Sequence, residues 1–261
     1  MAKKIIISSD YEHLREFVAS LPETFDTIGT LLYEGRNVVK SITVDGVELI
    51  VKRYRRPHFI QGISYSYFTS SKAERAYVYA RRLRELGFST PREVAYVEVK
   101  SRTFLTYSYF VSLPDHRPPL SQLLRRPDFS RVCVAQLAEF IASLHENGVI
   151  YGDLNMTNIL YSVDNDEHYQ FGLIDTNRAR FAYPSRRQAL EDLIRLSYDH
   201  DFLNCFAGLY AECRGWNLEQ TRREAIEALA RFQERHRRYD AIKCALRLKK
   251  MTNEATDYYR L

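Results

Sequence analysis

Residues 151–158 read Tyr-Gly-Asp-Leu-Asn-Met-Thr-Asn, set between two apolar runs, Gly148-Val149-Ile150 and Ile159-Leu160-Tyr161. A reverse turn is satisfied by one Asn and one Gly, yet this gap carries an acid and more than one amide. Two strands closing on such a loop can aim Asp153 and Asn158, five residues apart, into one cleft. A further apolar run, Phe171-Gly172-Leu173-Ile174, ends in another acid, Asp175. Whether these side chains form one site depends on what the rest of the chain builds around them.

Upstream, Tyr11 to Leu21 is a short amphipathic stretch closed by Pro22. Ile28 to Tyr33, Val38 to Val44 and Glu48 to Tyr54 are β-rich, separated by Glu34-Gly35-Arg36-Asn37 and by Asp45-Gly46, the latter a strong hairpin signal. Ser71 to Leu86 places Ala73, Ala76, Ala80, Leu83 and Leu86 at a helical period and stops at Gly87. Glu93 to Val99 and Phe104 to Val111 are β-rich again. Proline and charge dominate Ser112 to Pro119, and helical patterning follows. Ser130 to Asn147 carries Val134, Leu137, Ile141 and Leu144 on one face. Beyond the acidic loop the sequence predicts helices over Ser185 to Phe202, Asn217 to Arg235 (Asn217 and Gln220 fitting a capping box) and Tyr239 to Lys250. The outline is α+β and bilobal: a small antiparallel-sheet lobe with one helix over 1–111, a hinge at 112–119, and a larger, mainly helical lobe over 120–261.

With 261 residues, 45% apolar and 27% charged, the chain can bury a substantial core. Most of its 19 tyrosines are expected in the core or half-buried. Four separated cysteines lack any metal-ligand spacing and read as small buried hydrophobes of a reducing compartment. The start, MAKKIIISSD, has too short an apolar run for a signal peptide, and no run approaches a membrane span. A cytoplasmic protein is expected, with room for peripheral contact with the inner face of the membrane. The net charge of +5 gathers in clusters such as Lys52-Arg53-Tyr54-Arg55-Arg56, Arg125-Arg126, Arg186-Arg187, Arg235-His236-Arg237-Arg238 and Lys249-Lys250, which suit a polyanion. No nucleic-acid-binding motif accompanies them, so nucleic acid is not expected as a partner.

Phosphoryl transfer from ATP needs positioning and charge neutralisation more than covalent chemistry. The sequence holds a candidate for each part. Lys52 ends a β-rich run, where an ammonium can point into a cleft, and Glu74 lies on the following helix and could pair with it. Gly35, Arg36 and Asn37 occupy a turn whose exposed amides could cover phosphates. Asp153 is placed to accept a hydroxyl proton, and Asn158 and Asp175 to hold Mg²⁺ through oxygen ligands. Each residue alone has an ordinary structural explanation; the order turn, lysine, helical glutamate, hinge, helix, Asp/Asn loop, strand and Asp is what carries the signal.

In that order the chain resembles the protein-kinase-like superfamily, and most closely the lipopolysaccharide core kinases that phosphorylate Kdo or heptose, over roughly residues 28–200. The resemblance implies a Lys52–Glu74 ion pair, Asp153 as catalytic base, Asn158 and Asp175 as metal ligands, and Phe110 to Leu113 near the adenine. Tyr151-Gly152-Asp153 stands in place of His-Arg-Asp and Asp175-Thr176-Asn177 in place of Asp-Phe-Gly; no Ala-Pro-Glu follows, and Asn155 replaces a lysine. Control by loop phosphorylation and a protein substrate are therefore disfavoured. By the same resemblance the acceptor is a lipid A-linked core oligosaccharide, and Arg178, Arg186 and Arg187 are candidates for its phosphates or carboxylates. Aminoglycoside and choline kinases share the motif form, so a small-molecule or protein acceptor stays open, as does a kinase-like binding module without activity.

Overall fold

The computed structural model describes residues 2–54, 70–101, 104–124 and 130–258, with side chains described to 242 and at 244–245. Arg55-Arg56 and Arg125-Arg126 lie outside the described residues, as do the Lys249-Lys250 side chains. The chain divides into two units, Met1–Tyr183 and Pro184–Leu261.

The first unit opens with a six-stranded antiparallel sheet in the order β1-β5-β6-β4-β3-β2. Its strands are β1 (Ala2–Ile7), β2 (Thr30–Glu34), β3 (Asn37–Val44), β4 (Val47–Tyr54), β5 (Glu93–Ser101) and β6 (Phe104–Ser112). The β3–β4 hairpin turns on Asp45-Gly46, both at positive φ (50° and 80°), as a tight primed turn requires. Strand β1 was not expected from the sequence. Its short Ile5-Ile6-Ile7 run has no flanking turn signal, and its partner β5 is almost a hundred residues away along the chain.

Helix α1 (Arg15–Thr24) continues through Pro22 rather than ending there. Its Leu14, Val18, Leu21 and Phe25 side pack against Leu49, Val51, Val97 and Val111 of the sheet, all essentially inaccessible. Each such side chain contributes about 1.5–3 kcal/mol by leaving water, enough to hold a proline-containing turn. Helix α2 (Lys72–Glu85) buries the expected face of Ala73, Ala76, Ala80 and Leu83, whereas Leu86 is exposed. Small residues on that face allow the helix to approach β5 and β6 closely.

After β6, residues 118–121 run alongside the loop that opened the sequence reading. Leu120 N–H donates to Ile159 O, Tyr161 N–H to Pro118 O and Ser121 N–H to Met156 O. The short helix α3 (Ser121–Leu124) follows, then α4 (Arg131–Glu146), whose Val134, Leu137, Ile141 and Leu144 are buried as patterned. Strand β7 (Val149–Ile150) pairs with β10 (Arg180–Phe181), and β8 (Ile159–Val163) with β9 (Tyr169–Leu173). The acidic loop therefore leaves β7 and enters β8, and Asp175 lies just beyond β9.

The second unit contains α5 (Arg186–Leu193), α6 (His200–Cys213) and α7 (Leu218–Tyr258). The expected helix over 185–202 stops early because Asp199 caps a new one, accepting from Phe202 N–H. The two helices expected over 217–250 are one helix of 41 residues. Glu234 pairs with both Arg237 and Arg238 across the polar stretch that read as a break. Asn217 accepts from Gln220 N–H as expected, but the Gln220 side chain donates to Glu224, so the capping box is half formed. The cysteine expectation holds only for Cys133, which is buried; Cys205, Cys213 and Cys244 are exposed on helix surfaces.

Candidate active site

Gly152 explains how the loop begins. It has φ +76°, and a Cβ there would lie 2.8 Å from the carbonyl oxygen of Arg178. Only glycine permits that approach, which the β7–β10 pairing brings about. Tyr151, almost wholly buried, donates its hydroxyl to Ile174 O and ties the loop to the Asp175 segment. The Asn155 side chain accepts from Thr157 N–H at 3.0 Å, a local turn at the loop surface. Asn158 donates to Asp153 O at 3.2 Å. Of the three polar residues, Asn155 shapes the loop, while Asp153 and Asn158 are presented by it.

Asp175 has φ 62° and ψ 48°, left-handed values uncommon for a residue with a side chain. Such conformations persist where surroundings impose them and cluster at functional sites. Here the surroundings are specific. The Thr176 hydroxyl donates to Ala76 O at 3.2 Å, Arg75 Nε donates to Asn177 O at 3.1 Å, and Asn177 donates to the Asp175 carboxylate. Helix α2 thus holds the segment that aims Asp175.

A cleft of about 700 Å³ lies between the sheet and these loops, lined among others by Asn37, Lys52, Phe110, Leu113, Asn158 and Asp175. Its size suits a nucleotide. Phe110, Ser112 and Leu113 reach it, whereas Val111 points into the sheet's other face and is buried, as strand alternation dictates.

Two expectations need correcting. Lys52 Nζ lies 2.7 Å from Asp175 Oδ2, and Glu74 is paired instead with Lys4 at 3.1 Å. The Tyr96 hydroxyl also donates to Glu74, at 3.2 Å. The register accounts for this: Lys52 on β4 stands opposite Phe110 on β6, which stands opposite Tyr96 on β5. Glu74 leans over the β5 side, where β1 supplies Lys4. Burial works against the Glu74 charge, yet the Lys4 and Tyr96 bonds hold its carboxyl below the usual glutamate range.

The second correction concerns the β2–β3 turn. Asn37 lines the cleft, but the Gly35 N–H donates to Asn37 O at 3.1 Å and is not presented to a ligand. Arg36 is exposed at the tip.

Among the arginines, Arg178 donates to Asp153 Oδ1 at 3.1 Å and so steadies the carboxylate. Arg186 donates to Glu224 at 2.6 Å and to Thr221 at 2.7 Å, and its guanidinium lies 4.3 Å over the Trp216 ring. These contacts join α5 to α7 within the second unit and give Arg186 a structural task. Arg187 pairs with Glu191 one turn on and is largely exposed. Arg186→Ala should therefore lower stability by about 1–2 kcal/mol, and Arg187→Ala by less than about 0.5 kcal/mol, as read by denaturant unfolding. Equal small effects would deny Arg186 that task.

Residues the sequence reading passed over also contribute: Tyr151, Thr176 and Arg75 brace the loops. Only their tertiary partners reveal them.

Among the described residues, no helix is long and apolar enough to cross a membrane. No curated protein matches the chain. Among solved structures, WaaP in complex with acyl carrier protein is similar, with a TM-score of 0.61 and 20% identity, covering 90% of this chain and 98% of that one. That likeness shows the bilobal protein-kinase-like fold. The Rio2 kinase of Chaetomium thermophilum, in a complex with ADP, Mg²⁺ and phosphoaspartate, is more distant: TM-score 0.47 and 17% identity, over 86% of this chain and 77% of that one. A family model described as "Lipopolysaccharide kinase (Kdo/WaaP) family" matches residues 33–203, well over half of the chain. The chain belongs to that family of lipopolysaccharide kinases, and is a phosphotransferase.

Proposed function

We propose that this kinase transfers the γ-phosphoryl group of ATP to a sugar hydroxyl, of Kdo or heptose, in the lipid A-linked inner core of lipopolysaccharide. The observation that carries this reading is the convergence of Lys52, Asn158 and the strained Asp175 on one nucleotide-sized cleft, with Asp153 beside it.

The residues present fit ATP and Mg²⁺. Asn158 and Asp175 offer hard oxygen donors, the type a magnesium ion takes, and Asp175 pairs with the Lys52 ammonium. When bound, the metal would neutralise phosphate charge. Lys52, Asn37 and the Phe110–Leu113 edge would receive the nucleotide, and residues 112–119 would serve as the hinge beside it. Asp153, braced by Arg178 and by the Asn158 bond to its carbonyl, would accept the acceptor hydroxyl's proton. Glu74 acts at a distance, through Lys4 and Tyr96. Arg178 would contact an anionic group of the acceptor. Work at the cytoplasmic face of the inner membrane follows from such a substrate.

The test follows labelled γ-phosphate from ATP with Mg²⁺ to a Kdo-containing lipid A acceptor and to a heptose-bearing one. Label in either glycolipid supports the proposal and chooses between the sugars. Label that reaches only small alcohols or the protein itself would replace it.

A further inference from the structure

The Lys52 ammonium lies 2.7 Å from Asp175, which is also the proposed metal ligand. That carboxylate cannot be the sole anchor of Lys52 once a nucleotide and its metal are bound. Glu74, to which the resemblance assigned the task, is paired instead with Lys4 at 3.1 Å and accepts from the Tyr96 hydroxyl. Strand β4 itself supplies another partner. Tyr54 stands two residues after Lys52 and so faces the same side of the sheet. The Lys52 ammonium sits over the Tyr54 ring, 5.3 Å from its centre.

An ammonium within about 6 Å of an aromatic face is attracted by the ring's electron density, and more strongly where water is excluded. Both conditions hold here: Tyr54 is 2% exposed and the Lys52 side chain 17%. The ring is fixed in place. It packs in a buried cluster with Ala73 and Ala76 of α2 and with Tyr77 and Tyr96. Its backbone lies between Asn37 of β3 and Ser108 of β6. The two alanines leave room for a ring beneath the helix. Lys52 and Tyr54 both line the nucleotide-sized cleft. The Tyr54 hydroxyl, in contrast, is buried with no hydrogen-bond partner among the described residues. An unpaired buried hydroxyl is unfavourable, so Tyr54 meets the site through its ring.

We infer that Tyr54 is a positioning residue for phosphoryl transfer: the face of its ring seats the Lys52 ammonium in the cleft, the task that Glu74 leaves open. The inference rests on the proposed role of Lys52 in receiving the nucleotide. A ring carries no net charge, so it holds the ammonium without neutralising it. An acid in that place would compete with the phosphates for the same cation.

The test is calorimetric titration of a non-hydrolysable ATP analogue with Mg²⁺ into the full chain carrying Tyr54→Phe, and into chains with ring-fluorinated phenylalanines at position 54. Fluorine withdraws electron density from the face and nearly preserves the ring's shape, so the packing is kept. The expected result is parental affinity in Tyr54→Phe and a stepwise weakening with fluorination, reaching about three- to tenfold, the strength of one cation–π contact. In a Lys52→Met background the same fluorination should make no further difference, as a contact made through Lys52 requires. The thermal midpoint of ligand-free Tyr54→Phe should be unchanged or higher, since an unpaired buried hydroxyl is removed. Affinity that ignores fluorination, or that falls equally with and without Lys52, would overturn the seat. A loss in Tyr54→Phe as large as in the fluorinated chains would assign the contact to the hydroxyl and overturn it too. If Lys52→Met alone binds the nucleotide as tightly as the parent, the proposed role of Lys52 fails and the seat fails with it.

Discussion

Asp153→Ala is expected to lower the turnover number by about 10²–10⁴-fold, the range that general base catalysis supplies, while leaving the unfolding transition nearly unchanged. The side chain is only partly buried, and its carboxylate accepts from Arg178, itself about half exposed. That pair is too accessible to contribute much to stability. The loop conformation depends instead on Gly152, the Tyr151 hydroxyl and the Asn155 turn, none of which involves the Asp153 carboxylate. Retention of wild-type turnover in Asp153→Ala would remove the base assignment. Loss of the folded state would show that the carboxylate has a structural role that these contacts do not explain.

Asp175→Asn tests charge apart from shape. Asparagine tolerates the left-handed backbone as readily as aspartate, so the φ of 62° can be kept. The neutral amide cannot pair with Lys52 or hold a divalent cation in the same way. The expected outcome is a loss of about 10²–10³-fold in turnover, comparable to removal of one preorganised electrostatic group, with the thermal midpoint within a few degrees of the parent. Raising Mg²⁺ should recover part of the loss if Asp175 binds the metal. A loss that Mg²⁺ leaves untouched would instead assign Asp175 to holding Lys52.

Much of this was legible in the sequence for a physical reason. The α2 and α4 faces follow the helical period, and the Asp45-Gly46 turn follows from positive φ, so local chemistry sufficed for them. The loop 151–158 and Asp175 could be singled out because polar residues at that spacing between apolar runs serve no packing purpose. The errors arose where the partner is distant in sequence. Glu74 could not be assigned to Lys4 without knowing that residues 2–7 add an edge strand beside β5. The break before Asp199 carries no glycine or proline, and the polar run at 235–238 is bridged by ion pairs that a window of composition does not reveal.

The sequence by itself determined the fold class and pointed to the acid and amide residues of the candidate site, because periodicity, turn chemistry and motif spacing are properties of neighbouring residues. Only the tertiary structure decided which charges meet. It placed Lys52 on Asp175, Glu74 on Lys4, Arg178 on Asp153 and Arg186 on Glu224. Ion pairing depends on separations of a few ångströms between residues as far apart in the chain as Lys52 and Asp175, and strand register and helix docking set those separations.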